Sequence, residues 1–208
     1  MEISRRSLIG AAASVIATGG VGYGLTSNED TCGGDSKESG PVTSGPEDAP
    51  TVRVFSDYAC PNCKAFATEV GPSLKSAVEA GDIFYRHYDF PLPVDDRWSY
   101  AIPNVGRYVY ETADFDAFWE FKSNVYDHQE RYSERAVVNS ALDVLESGSE
   151  TDIRDILEEK PYCGEIDQEV ATGKDHGVDG TPMVMVGSDW TYVEKPSFEN
   201  IMDAISDS

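Results

Sequence analysis

Two cysteines stand three apart in DYACPNCKAF, residues 57–66, with Pro61 and Asn62 between them. Thiols at that spacing can do three things. They can cycle between dithiol and disulfide, hold a soft metal ion, or form an inert disulfide that staples a turn. A zinc site needs further ligands, but Cys32 and Cys163 form no second pair and His87, His128 and His176 are scattered along the chain. A copper-carrying module would want Met or His beside the pair, and Asn62 and Lys64 are neither. The surroundings must decide the rest.

The elements around the pair point to redox chemistry. TVRVFSDY (51–58) alternates β-branched and aromatic residues, a strand pattern that runs straight into Cys60. Phe66, Val70, Leu74 and Val78 then recur at helical spacing; Pro72 kinks or splits that helix, and Gly81 stops it. IFYRHYDFPL (83–92) reads as a second strand. A strand–cysteines–helix–strand order places Cys60 at a helix mouth, where unsatisfied N–H groups and the helix dipole favour the thiolate. Cys63, one turn on, lies within bonding distance. Cys60 is thus the nucleophile, Cys63 the resolving thiol, and Pro61 a tolerated first-turn residue.

A second motif lies more than a hundred residues downstream. GVDGTPMVMV (177–186) puts Thr181-Pro182 at the entrance of an apolar strand, a candidate cis bond. A cis proline there would turn its neighbouring backbone groups outward, to pair with an extended peptide lying across the cysteines. Between the motifs, from about Asp95 to Lys174, the periodicity is helical and predicts four or five helices. TPMVMVGSDWTYV predicts a hairpin and PSFENIMDAIS a closing helix with Pro196 in its first turn. The expected fold class is α/β: a mixed central sheet flanked by helices and interrupted by an all-helical insertion.

FSDYACPNCKAF and GVDGTPMVMVGSDW, in that order and separated by a helical block, resemble the DsbA family of thioredoxin-fold thiol–disulfide oxidoreductases over about residues 51–205. The resemblance implies a thioredoxin-like domain (51–94 and 175–208) carrying a helical insertion (95–174). It implies a redox-active Cys60–Cys63 pair supported by Pro61, Asn62, Thr181 and a cis Pro182. Reduced exported proteins would be the substrates, a membrane or small-molecule thiol oxidant would recycle the enzyme, and no cofactor is implied. A reductase or isomerase of the same fold stays open beside the oxidase. There are two departures. Many oxidising members carry His where this chain has Asn62, which predicts a less extreme oxidant. An acidic residue six positions before the first cysteine is common in the superfamily, yet here that position is Val54. The proton acceptor for Cys63 is then water, a different carboxylate such as Asp57 or Glu69, or absent, and the sequence assigns none of these.

Charge and the first residues bear on location. Sixteen Lys and Arg against 38 Asp and Glu leave a net charge of −22, which repels phosphate backbones and excludes nucleic acid as a partner. The acidity is spread along the chain and lysines are few, as on a surface adapted to high salt. SRRSLIG followed by an Ala/Gly-rich apolar stretch (1–27) reads as a twin-arginine export signal or membrane anchor. Residues 28–50, rich in Ser, Gly, Pro and acids, read as a flexible spacer. Cys163 has three candidate fates: a buried free thiol, a bond with Cys32, or a second redox thiol.

Overall fold

The computed structural model describes residues 40–95 and 97–207. Five strands form one mixed sheet in the order β1-β3-β2-β4-β5. Its centre is β2 (Thr51–Ser56), parallel to β3 (Phe84–Asp89) and antiparallel to β4 (Met183–Val186). Val54 therefore sits between His87 on one side and Val184 on the other. A central strand is covered on both faces, which is why five of its six residues are buried. The hairpin partner β5 (Thr191–Tyr192) closes one edge.

The other edge corrects the sequence reading. Val42–Ser44, inside the segment expected to be spacer, forms β1 and pairs antiparallel with β3. Val42 is fully buried. A three-residue edge strand draws its order from the backbone groups of its neighbour, so one Val among Ser, Gly and Pro leaves no readable alternation.

Two helices, α1 (Pro61–Glu69) and α2 (Gly71–Ala80), follow β2. The chain breaks between them at Val70, with Pro72 in the first turn of α2, and stops at Gly81 in the left-handed conformation with φ +79°. The insertion contains α3 (Trp98–Thr112), α4 (Phe115–Asp127), a short 3-10 turn (Gln129–Arg131), α5 (Glu134–Leu142), α6 (Glu150–Glu159) and α7 (Cys163–Asp175). The last helix, α8 (Phe198–Ser206), is capped by Ser197, whose hydroxyl accepts from the Asn200 N–H. Pro196 thus precedes the cap rather than occupying the first turn, because Ser197 offers the better cap oxygen.

Three clusters make the core. Val52, Val54, Leu74, Tyr85, Val184 and Ile201 pack on one sheet face, while Phe55, Tyr88, Phe90 and Met185 pack on the other. The third belongs to the insertion, with Ile102, Val105, Phe121, Val125 and Val138, and it includes both Cys60 and Cys63. The insertion is therefore a wall of the cysteine site.

Candidate active site

Local chemistry builds the turn that presents Cys60. The Asp57 carboxylate accepts from the Ala59 N–H (2.9 Å), and the Cys60 N–H donates back to the Asp57 carbonyl (3.1 Å). Asp side chains favour such turns by mimicking backbone. Cys60 then occupies the N-cap position in extended conformation, and its carbonyl accepts from Cys63 (3.1 Å) and Lys64 (3.3 Å), which starts α1. Pro61, at the first helical position, has no N–H to waste there.

The two sulfurs sit in unequal environments. Cys60 is 7% exposed and Cys63 1%; both are free thiols here. The Cys60 thiol is lowered to about 5, chiefly by the Cys63 S–H donating to it, against the cost of burial. Thr181 and the backbone N–H groups of Cys63 and Asn62 add further donors. Burial, with that same Cys60 contact, pushes the Cys63 thiol far up. The Asp57 N–H, 3.4 Å from the Cys63 sulfur, only partly offsets this. Cys60 is thus the thiolate and Cys63 the retained thiol.

The downstream motif meets the cysteines. The Thr181–Pro182 peptide is cis, and the neutral Cys60 thiol donates to the Thr181 carbonyl at 3.3 Å across 121 residues of chain. The Thr181 hydroxyl is buried with no hydrogen-bond partner in this state. Once Cys60 ionises, its S–H can no longer donate, and that hydroxyl is a donor already in place. Pro61 and Asn62 are exposed, so Asn62 reaches Cys60 through its backbone N–H.

The two carboxylates considered as proton acceptor sit in different surroundings. Asp57 already takes N–H donors from Ala59 and Leu92 (3.0 Å) and the Ser99 hydroxyl (3.1 Å), while burial raises its carboxyl. Glu69 is exposed at the end of α1. Val54 is buried among apolar residues.

Several site residues carry no motif. The Gln129 amide donates to the carbonyls of Tyr58 (2.8 Å) and Cys60 (2.9 Å), and the Tyr132 hydroxyl also donates to Tyr58 O (2.8 Å). They come from the 3-10 turn after α4 and the residue beyond it, where nothing in the local sequence signals a clamp. Lys122 is different. On α4 it shares the buried face of Phe118, Phe121 and Val125, and a lysine on an apolar stripe is a readable anomaly. Cys163 is disulfide-bonded; Cys32 and the stretch 1–27 lie outside the described residues.

A family described as thioredoxin matches residues 37–207. Disulfide bond formation protein D of Bacillus subtilis is 23% identical over 164 residues, covering 76% of this chain and 72% of that protein. The probable disulfide bond formation protein D of Bacillus cereus is 27% identical over 169 residues, covering 77% and 75%. Among solved structures, oxidised BdbD of Bacillus subtilis superposes with a TM-score of 0.69 at 18% identity, covering 85% of this chain and 96% of that one. DsbA of Chlamydia trachomatis superposes with 0.69 at 19% identity, covering 79% and 88%.

Proposed function

The chain belongs to the thioredoxin family as a DsbA-like thiol–disulfide oxidoreductase, and on that premise we propose that it works as an oxidase of exported proteins through Cys60 and Cys63. The observation that carries the reading is the inequality of the two thiols. A Cys60 thiol lowered to about 5 is ionised at neutral pH in the folded dithiol, but would be protonated in an unfolded chain. That difference stabilises the reduced enzyme at all pH values above about 5, so its disulfide accepts electrons readily. Cys63, protonated in both states at neutral pH, neither adds to nor subtracts from this.

In the forward reaction a substrate thiolate attacks the Cys60 sulfur. The Cys60–Cys63 bond breaks, its electron pair goes to Cys63, and a mixed disulfide forms at Cys60. A second substrate thiolate attacks the substrate sulfur of that bond and expels Cys60 as a stabilised thiolate. The substrate has lost two electrons and the enzyme has gained them. A membrane or small-molecule thiol oxidant then restores the enzyme disulfide. The proposal includes export by the twin-arginine signal at residues 1–27, with attachment to the outer face of the membrane where that segment is kept. The distributed negative charge fits a salty medium.

The test is oxidation of reduced RNase by the purified full chain, beside insulin reduction as the measure of the opposite direction. The expected result is faster RNase oxidation, abolished in Cys60→Ser, with Cys63→Ser accumulating a mixed disulfide at Cys60. Insulin reduction without RNase oxidation favours the reductase reading instead, and full activity in Cys60→Ser removes the mechanism.

A further inference from the structure

A cavity of about 290 Å³ lies between α4 on one side and α1, α2 and β3 on the other, and neither cysteine lines it. Leu74, Tyr85, Lys122 and Tyr126 are the buried part of its lining, while Ser123 and Asp127 stand exposed at its rim. It is therefore open to solvent at one end and closed by side chains at the other. Small-molecule sites have this form: concave, mostly apolar and aromatic, with a few polar groups that fix orientation. The volume stands near the lower end of their usual range, about 300–1,000 Å³, which suits a ligand of one ring.

Lys122 is the anomaly in that lining. It is 5% exposed, although lysine is almost never fully buried unless it is paired. Among the described residues its ammonium makes one hydrogen bond, to His87 Nδ1 (3.3 Å), and no carboxylate pairs with it directly. His87 Nε2 faces Asp89 Oδ1 (3.0 Å). With Nε2–H directed to that carboxylate, Nδ1 is left as an acceptor and the imidazole is neutral. Burial holds His87 down at about 4, in keeping with that tautomer. An ammonium carries three N–H donors, so two have no partner among the described residues. The Trp119 ring, which also lines the cavity, stands 5.8 Å from the ammonium. Burial lowers Lys122 to about 8, which still leaves it charged at neutral pH. The acid in the lining, Asp127, is at the exposed rim, where water and salt screen it.

We propose that this cavity is a binding site for a small free carboxylate with a compact apolar body. The carboxylate accepts from the Lys122 ammonium, and the body lies against Leu74, Tyr85 and Trp119. Charge complementarity selects this class over its neighbours. A neutral ligand of the same shape would bury the ammonium without a counter-charge, which is costly. A cationic one would set two like charges together in a site poor in water. A bare anion such as acetate would answer the lysine but leave the apolar lining wet. No bond is made or broken, and the binding is independent of the direction of thiol exchange. A ligand held only by the folded protein also raises its melting temperature by mass action.

The test is calorimetric titration of the purified full chain at neutral pH with benzoate, beside benzamide, benzylamine and acetate. Benzoate is expected to bind about tenfold or more tightly than benzamide, the scale of a charge-assisted hydrogen bond, and to raise the melting temperature. Benzylamine and acetate should show no saturable binding over the same range. Lys122→Met removes the charge at similar volume, so benzoate and benzamide should then bind alike. Ser123→Trp places a large side chain at the exposed rim and should abolish binding of both. Thermal unfolding shows whether each variant is folded; without a folded Lys122→Met, the parent's preference for benzoate and its loss in Ser123→Trp decide the matter. Four results each overturn the assignment: no saturable binding of benzoate at millimolar concentration, equal affinity for benzoate and benzamide in the parent, acetate binding as tightly as benzoate, or benzoate binding retained in Ser123→Trp. None of them touches the roles of Cys60 and Cys63, since no thiol exchange is measured.

Discussion

Asn62 shows how two cysteines of one motif can be tuned separately. Its side chain is exposed and its N–H serves the Cys60 sulfur, a service any residue but proline could perform. What asparagine withholds is charge. In Asn62→His an imidazolium would sit beside the thiolate and stabilise the dithiol further. At this exposed position solvent screens much of that gain, and we expect the glutathione equilibrium to move about tenfold towards reduced enzyme. The parent, lacking that charge, should fall short of about −120 mV, the potential of the strongest oxidants of this type. Equilibration with glutathione over a range of ratios measures both. A parent already at that value, or an unmoved variant, would show that the helix N–H groups alone set the potential.

At the scale of elements, the insertion supplies the back wall of the cysteine turn. Gln129 and Tyr132 hold the Tyr58 carbonyl from one side, and Gln129 also holds Cys60 O as α1 begins. The Tyr58 ring stacks on Tyr126 of α4 at 5.3 Å, and the Tyr126 hydroxyl meets Ser56 Oγ at 3.0 Å. Replacing Gln129 with Ala removes two hydrogen bonds to backbone carbonyls with little access to water. This should cost about 1–3 kcal/mol and slow alkylation of Cys60 at neutral pH. Urea unfolding and iodoacetamide kinetics test the two halves of that expectation. Unchanged alkylation would mean that Tyr132 and the Asp57 turn suffice to hold the nucleophile.

Across the whole molecule, a buried ionic cluster joins parts far apart in sequence. Arg107 of α3 meets Asp89 of β3 (3.3 Å) and Glu169 of α7 (2.5 Å), and also donates to Gly40 O (2.9 Å) beside β1. Glu169 in turn accepts from the Asp89 N–H (2.6 Å). Burial raises the Glu169 carboxyl to about 8 despite Arg107. Burial also opposes ionisation of Asp89, but His87, and then Arg107 and Lys122, hold it below the usual carboxylate range. Arg107→Met would leave at least one buried carboxylate without its cation, at a cost of about 3–5 kcal/mol. Urea unfolding reads this directly, and a loss under about 1 kcal/mol would imply that both carboxylates are neutral in the native state.

The features legible in the sequence were those that local chemistry imposes. Strand alternation into Cys60, the break at Pro72, the stop at Gly81 and the helical run after Asp95 all follow from side-chain volume and backbone freedom within a few residues. The pairing of CPNC with a distant Thr-Pro was legible because both carry rare residue types in a set order. Strand β1 was not, since its order comes from pairing with β3 rather than from its own residues. The clamp by Gln129 and the cluster around Arg107 were equally hidden, because a polar side chain on a helix looks alike whether it meets water or a buried carbonyl. Lys122 stood between these cases: its place on an apolar face could be read, but not the His87 nitrogen it donates to. Sequence alone determined which atoms could exchange electrons. Only the tertiary structure decided how far the two sulfurs differ, because burial holds Cys63 protonated, while the Cys63 thiol and then Thr181, brought from more than a hundred residues away, favour the Cys60 thiolate.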